Sequence, residues 1–242
     1  MGSANVSDRT WETFSVHYLE KVFSPLQFPE VRGRIIDAVT LPTVLDMGCG
    51  PTPLLLRQLL RLPRIDLYAS DWSSEMLAVS ASYFPSGAIR FVHGDNRCLP
   101  FADQFFNTVI SVNSILPDNR RDVDRMISEV VRVLKRGGHF VALFPAFETS
   151  LMARDSWNMA IQVDIENRRE YDTTGWQCFF THEDVIQLSD RHRLTIDKLD
   201  RVIFDSDPAI DQIRKIYGAN LSPHLLKQHP LFEHFLLATK PT

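Results

Sequence analysis

The stretch Val44-Leu45-Asp46-Met47-Gly48-Cys49-Gly50-Pro51-Thr52 decides how the chain folds. It reads as a short buried strand running straight into glycines. Glycines placed there let the backbone turn tightly and approach a ligand closely. Leu54, Leu55, Leu59 and Leu62 then recur at roughly helical spacing, so a helix follows and offers its free N-terminal N–H groups. Two common phosphate cradles are missing. A dinucleotide fingerprint needs a third glycine where Pro53 stands, and a P-loop needs a lysine that is not present. A plain strand-to-helix turn is the bland alternative for this loop taken alone.

Working outward, strand-like and helix-like segments alternate. Asp66 to Ser70 reads as a second strand, ending at Asp71. An acid about twenty residues beyond such a loop can accept both hydroxyls of a ribose. Ser73 can cap the next helix, which carries Met76, Leu77, Val79 and Ala81. Ile89 to Val92 is a third strand, followed by Gly94-Asp95-Asn96, an acceptor beside an amide that suits an adenine amino group; turn chemistry is the competing reading. Asn107 to Val112 reads as a fourth strand, Val123 to Leu134 as a helix stopped by Gly137-Gly138, and His139 to Phe144 as a fifth strand. Leu194 to Phe204 and Glu233 to Thr239 complete the set. The alternation predicts a parallel sheet with helices on both faces. Ligands on such sheets bind beyond the carboxyl ends of the strands. Glu148 to Phe180 and Asp207 to His229 are too long for simple connections and are expected to be helical covers over the site.

Composition narrows the function. The 242 residues hold 26 Lys+Arg against 30 Asp+Glu, a formal net charge of −4. Duplex nucleic-acid binders usually show a basic excess. The three cysteines, Cys49, Cys98 and Cys178, form no CxxC pair, so neither a zinc ribbon nor a disulfide framework is expected, nor any metal site. Met1 to Thr10 lacks the basic start and apolar run of a signal peptide. No apolar run approaches the ~18 residues of a membrane helix. A cytoplasmic monomer or homodimer with no membrane partner is expected.

Taken together, these motifs resemble the class I methyltransferase family that uses S-adenosylmethionine (AdoMet). Asp46-Met47-Gly48-Cys49-Gly50-Pro51 is similar to its glycine motif, Asp71-Trp72-Ser73-Ser74-Glu75-Met76-Leu77 to its ribose motif, and Gly94-Asp95 with Leu99-Pro100-Phe101 to its adenine motif. Glu129 to Gly138 resembles the segment before the family's fifth strand, and Phe235 to Pro241 its terminal antiparallel strand. The resemblance covers Thr43 to Phe144 well and Thr181 to Thr242 loosely. It implies an α/β fold: a seven-stranded, mostly parallel, doubly wound sheet with an antiparallel last strand and helical insertions. One domain would span residues 1–242, with an N-terminal cover at 1–40, an AdoMet-binding core at 43–147, and substrate-covering insertions at 148–180 and 207–229.

The implied site follows the motifs. Gly48, Cys49 and Gly50 would contact the cofactor through backbone, and Asp46 would orient that loop. Asp71 would bind the ribose, Trp72 would pack on adenine, and Met76 belongs to the same motif. Asp95 and Asn96 would read the adenine edge, Asn113 would line the methionine end, and Tyr18, on a leading helix from Trp11, would touch the methionine carboxylate. Thr52 replaces the family's usual third glycine. The resemblance implies transfer of a methyl group, leaving S-adenosylhomocysteine (AdoHcy). Phe144, Phe147, Trp157, Tyr171, Trp176, Phe179 and Phe180 give the covering segments an aromatic bias. They point to a small or medium-sized apolar or aromatic acceptor, its reacting atom N, O or C. Asn113-Ser114-Ile115-Leu116 does not match the Asn/Asp-Pro-Pro-aromatic motif of adenine N6 methylation, which counts further against nucleic acid. Methylation of RNA or a protein side chain, and a catalytically silent AdoMet-binding regulator, are the competing readings. His17, His182 and Asp118 are candidate bases; none stands out, and no catalytic residue is assigned.

Overall fold

The strand β1, Thr43–Met47, is buried at every residue after the first, as a strand flanked on both sides and covered on both faces must be. The computed structural model describes residues 18–172 and 174–242. In it β1 pairs in parallel with β2, Asp66–Asp71, and with β4, Phe106–Val112. β3, Arg90–His93, adds to β2, and β5, Leu134–Pro145, adds to β4, all parallel. Beyond β5 lies β10, Leu231–Thr239, antiparallel to both β5 and β9, Thr195–Phe204. The order is therefore β3-β2-β1-β4-β5-β10-β9, with the last strand in sequence the one that runs backwards. This is the expected sheet. The direction of travel reverses between β1 and β4, where an open α/β sheet forms its ligand crevice.

The helices pack by periodicity. Along β1, Val44 joins the core on one face while Leu45 and Met47 join the core on the other, the period of two that a strand imposes. The first face is covered by α2, Pro29–Asp37, and α3, Leu54–Leu59; the short α1, Tyr18–Lys21, precedes them. Also in chain order, α4 spans Ser74–Ala81, with the Ser73 side chain accepting from the Met76 amide at 3.2 Å. The second face is covered by α5, Arg120–Val133, whose Val123, Ile127 and Val130 form one buried stripe, and by α7, His182–Arg191.

Two expectations need correction. The fifth strand begins at Leu134, directly after α5, and Gly137-Gly138 lie inside it at a register shift against β4. The backbone of Gly137 instead bonds to Lys240, which ties in the last strand. Residues 148–180 are not simply helical. After α6, Phe147–Asp155, come three short antiparallel strands, β6 (Gln162–Asp164), β7 (Arg169–Asp172) and β8 (Gly175–Cys178). Tyr171 and Trp176 face each other across β7 and β8 with ring centroids 5.4 Å apart. Such cross-strand aromatic pairs stabilise short strands. The excursion at 207–229 is helical but broken in two, α8 (Asp207–Tyr217) and α9 (Pro223–Gln228).

Candidate active site

The loop after β1 is fixed by its neighbours. The amides of Gly48 and Cys49 both donate to the Ser70 carbonyl at the end of β2, at 2.7 and 2.9 Å. Gly48 has φ +68°, and a Cβ added there would overlap the Ser114 side chain. Ser114 Oγ in turn donates to the Met47 carbonyl at 2.6 Å. So β4 and β1 meet at this point with room for a hydrogen atom only. Asp46, just before the loop, is buried; burial first, then the charge of Asp71, pushes its carboxyl up to about 7. The buried Cys49 thiol is held well above its ordinary value, chiefly by burial, and so is no nucleophile.

Asp71 links the loop to the next element. One carboxylate oxygen accepts the Gly50 amide and the other the Ser73 amide, both at 2.9 Å. Each oxygen keeps a second lone pair. Burial raises its pKa, and the backbone bonds at Ser73 and Gly50 oppose that. Trp72 beside it is 43% exposed, high for a tryptophan. Its ring lies 6.4 Å from that of His93, and the Arg97 guanidinium stands 5.9 Å from its centroid. Met76, on α4, is in contrast buried.

The turn after β3 brings Asp95 and Asn96 to the same crevice. Both Asp95 oxygens are engaged by Arg97, with Nη2 at 2.8 Å, and Arg97 also reaches Asp122 at 3.1 Å. Arg97, which belongs to no motif of the sequence, props the turn and sits by the Trp72 ring. Asn96 Nδ2 lies 3.4 Å from the Ser114 carbonyl, while its Oδ1 is buried without a partner.

A second region opens beyond β4 and β5. Asn113 takes φ +49° just past β4 and donates from Nδ2 to Glu233 Oε1 at 2.7 Å. Its Oδ1 and Glu233 Oε2 are both buried without a partner. Glu233, on β10, is 4% exposed, and burial pushes its carboxyl up to about 7, opposed by the Asn113 bond. The Tyr18 hydroxyl is raised first by burial and then by the charges of Asp71 and Glu233. Glu233 lines a cavity of about 90 Å³ that also meets Phe23, Trp157, Phe179, Tyr217 and Glu170. The only sequence hint of Glu233 was an acid within the apolar run Leu231-Phe232-Glu233-His234-Phe235.

The remaining candidates scatter. Trp157 and Phe179 line the cavity, whereas Phe144, Phe147 and Phe180 are buried core side chains outside its lining. Tyr171 and Trp176 belong to the small sheet. His182 lies near the buried His234, ring centroids 5.9 Å apart, and Asp118 accepts from Asn119 at 2.7 Å; neither meets the cavity. His17 and the rest of the expected leading segment, from Trp11, lie outside the described residues. No described helix is long and apolar enough to cross a membrane.

Residues 44–138 match the family model of a methyltransferase domain. An uncharacterized methyltransferase of Bacillus subtilis (strain 168), YdaC, is 30% identical over 96 residues, covering 40% of this chain and 52% of its own length. A demethylmenaquinone methyltransferase of Thermobifida fusca (strain YX) is 37% identical over 110 residues, 44% of each chain. This chain thus spans about half the length of the curated relatives it matches, or less. Geranyl diphosphate C-methyltransferase from Streptomyces coelicolor A3(2), solved with Mg2+, geranyl diphosphate and AdoHcy, superposes with a TM-score of 0.67, covering 99% of this chain and 100% of that one. At 12% identity that likeness speaks for the fold alone.

Proposed function

We propose that this chain, which belongs to the class I AdoMet-dependent methyltransferase family, transfers a methyl group to a small or medium-sized apolar or aromatic molecule. The observation that carries the reading is the pairing of two regions: a glycine loop clamped to Asp71 by the 2.9 Å Gly50 bond, and an aromatic cavity lined by Glu233, whose carboxylate Asn113, just past β4, bonds at 2.7 Å. The residues present fit the cofactor. Asn96 Oδ1 is a buried acceptor lacking a donor, the Gly48 turn admits no side chain, and Trp72 presents an exposed ring.

In this reading Asp71 takes the ribose hydroxyls on its two remaining lone pairs, and the Trp72 ring supplies a flat apolar face for adenine. Asp95, steadied by Arg97, and Asn96 read the adenine edge. The loop backbone of Gly48 to Gly50, its three amides already spent on Ser70 and Asp71, walls the methionine end by close approach rather than by donating to it, with Asp46 beneath, Met76 packed behind and Tyr18 and Asn113 at the far side. AdoMet, when bound, supplies an electrophilic methyl group on a sulfonium. The chain's own task is then to hold the acceptor in line and exclude water, and such positioning can lower a barrier by ~7–11 kcal/mol. The insertions at 148–180 and 207–229 supply Trp157, Phe179 and Tyr217 to the cavity and act as the cover of one domain.

Incubation with methyl-labelled AdoMet and a panel of small amines, phenols and acids tests this. Label on a small molecule is expected; label found only on a protein or RNA substrate overturns it.

A further inference from the structure

We infer that the acceptor is a compact amine with an apolar body, held as its ammonium ion between Glu233 and Glu170, and that Glu233 Oε2 takes its proton before transfer. The inference rests on the methyl-transfer reading and deepens it by naming the acceptor class.

Glu233 is 4% exposed, and only one of its oxygens is satisfied, by Asn113 Nδ2 at 2.7 Å. The other, Oε2, has no partner among the described residues. A buried carboxylate oxygen left unpaired is costly, and a bound cation relieves it. Glu170 lines the same cavity, and among the described residues no lysine, arginine or histidine does. Tyr217 lines the same cavity and adds no positive charge to it. Around these acids lie the rings of Phe23, Trp157, Phe179 and Phe232. Aromatic faces attract a cation, most strongly where water is excluded. A carboxylic acid would be repelled by both glutamates. A neutral alcohol would gain from one but leave the second uncompensated. An ammonium ion satisfies both, and the acids also offset its repulsion from the cofactor's sulfonium. The volume, about 90 Å³, is below the ~150 Å³ that takes a benzene molecule, so the acceptor is compact or extends through the mouth.

The step balances. The ammonium gives one proton to Glu233 Oε2, which frees the nitrogen lone pair. That pair forms the N–C bond to the methyl carbon as the C–S bond breaks, and the C–S pair stays on sulfur. The product is a methylated ammonium, and the proton on Glu233 leaves to solvent. A carboxyl held near neutrality by burial can both accept and release that proton.

The test is calorimetric binding to the full chain with AdoHcy bound. The probes are benzylamine, 2-phenylethylamine and tryptamine, beside 2-phenylethanol and phenylacetate. At least one amine is expected to bind tenfold or more tighter than 2-phenylethanol, with phenylacetate weakest. Glu233→Gln and Glu170→Gln should each weaken that amine tenfold or more, with AdoHcy affinity changed less than twofold; E170Q serves if E233Q does not fold. Equal affinity for amine and alcohol overturns the inference, as does failure of every amine to bind while AdoHcy binds. So does an E233Q loss that falls equally on AdoHcy, which would assign that carboxylate to the cofactor. Failure of AdoHcy itself to bind overturns the parent reading.

Discussion

Asp71 is the residue on which the cofactor half of the site turns. Its oxygens hold the Gly50 and Ser73 amides and still offer acceptors outward. Asp71→Ala removes charged hydrogen bonds worth about 1.5–3 kcal/mol, so AdoMet affinity should fall roughly 10- to 150-fold by calorimetry. Gly48→Ala meets two penalties at once, a positive φ and the Ser114 side chain. A stability loss of about 2–5 kcal/mol in urea denaturation is expected from left-handed backbone and overpacking together. Trp72→Ala should leave stability nearly unchanged, since the ring is 43% exposed, yet weaken AdoMet binding by about 0.5–1.5 kcal/mol for a lost stacking partner. Asp71 and the glycines were legible in the sequence because they follow a strand at fixed short spacing. Glu233 and Arg97 were not, because their roles exist only once β10 lies beside β5 and the turn after β3 folds onto α5.

At the scale of elements, the seven main strands could be read from apolar runs bounded by turns, and the Ser73 cap from its place before an apolar period. The small sheet could not. Its strands have three or four residues and share no composition, from the charged Arg169–Asp172 to the uncharged Gly175–Cys178, so neither period nor composition marks them. They are held from outside. Arg120, at the start of α5, donates to the carbonyls of Asn167, Arg168 and Phe179 at 3.2, 3.0 and 2.6 Å, and lies 5.1 Å from the Phe180 ring. Arg120→Ala removes that strut while leaving β1, β2 and the loop between them untouched. Faster amide hydrogen exchange over residues 162–178 is expected, with weaker acceptor binding and AdoMet affinity within about twofold of wild type.

Across the whole molecule, buried acids set the pH response. Glu233 titrates near 7 in the fold against an ordinary value of 4.5, so the folded state holds its proton more tightly than the unfolded chain does. That stabilisation is complete below about pH 4.5 and is lost as pH rises to 7; Asp46 acts in the same direction. Glu233→Gln should therefore match wild type near pH 4 and exceed it near pH 8, by up to about 3 kcal/mol in urea denaturation. Equal stability of the two proteins at pH 8 would contradict the burial of that charge. The sheet order, with one antiparallel strand between two that run the other way, was foreseeable only through the family resemblance, since alternation alone predicts a parallel sheet. The central claim is that the crevice between β1 and β4 holds AdoMet, and titration of AdoMet into wild type and Asp71→Ala by calorimetry tests it most directly. One equivalent bound by wild type, with affinity at least tenfold weaker in the variant, is the expected result; no heat of binding in wild type, or equal affinity in both, would contradict it.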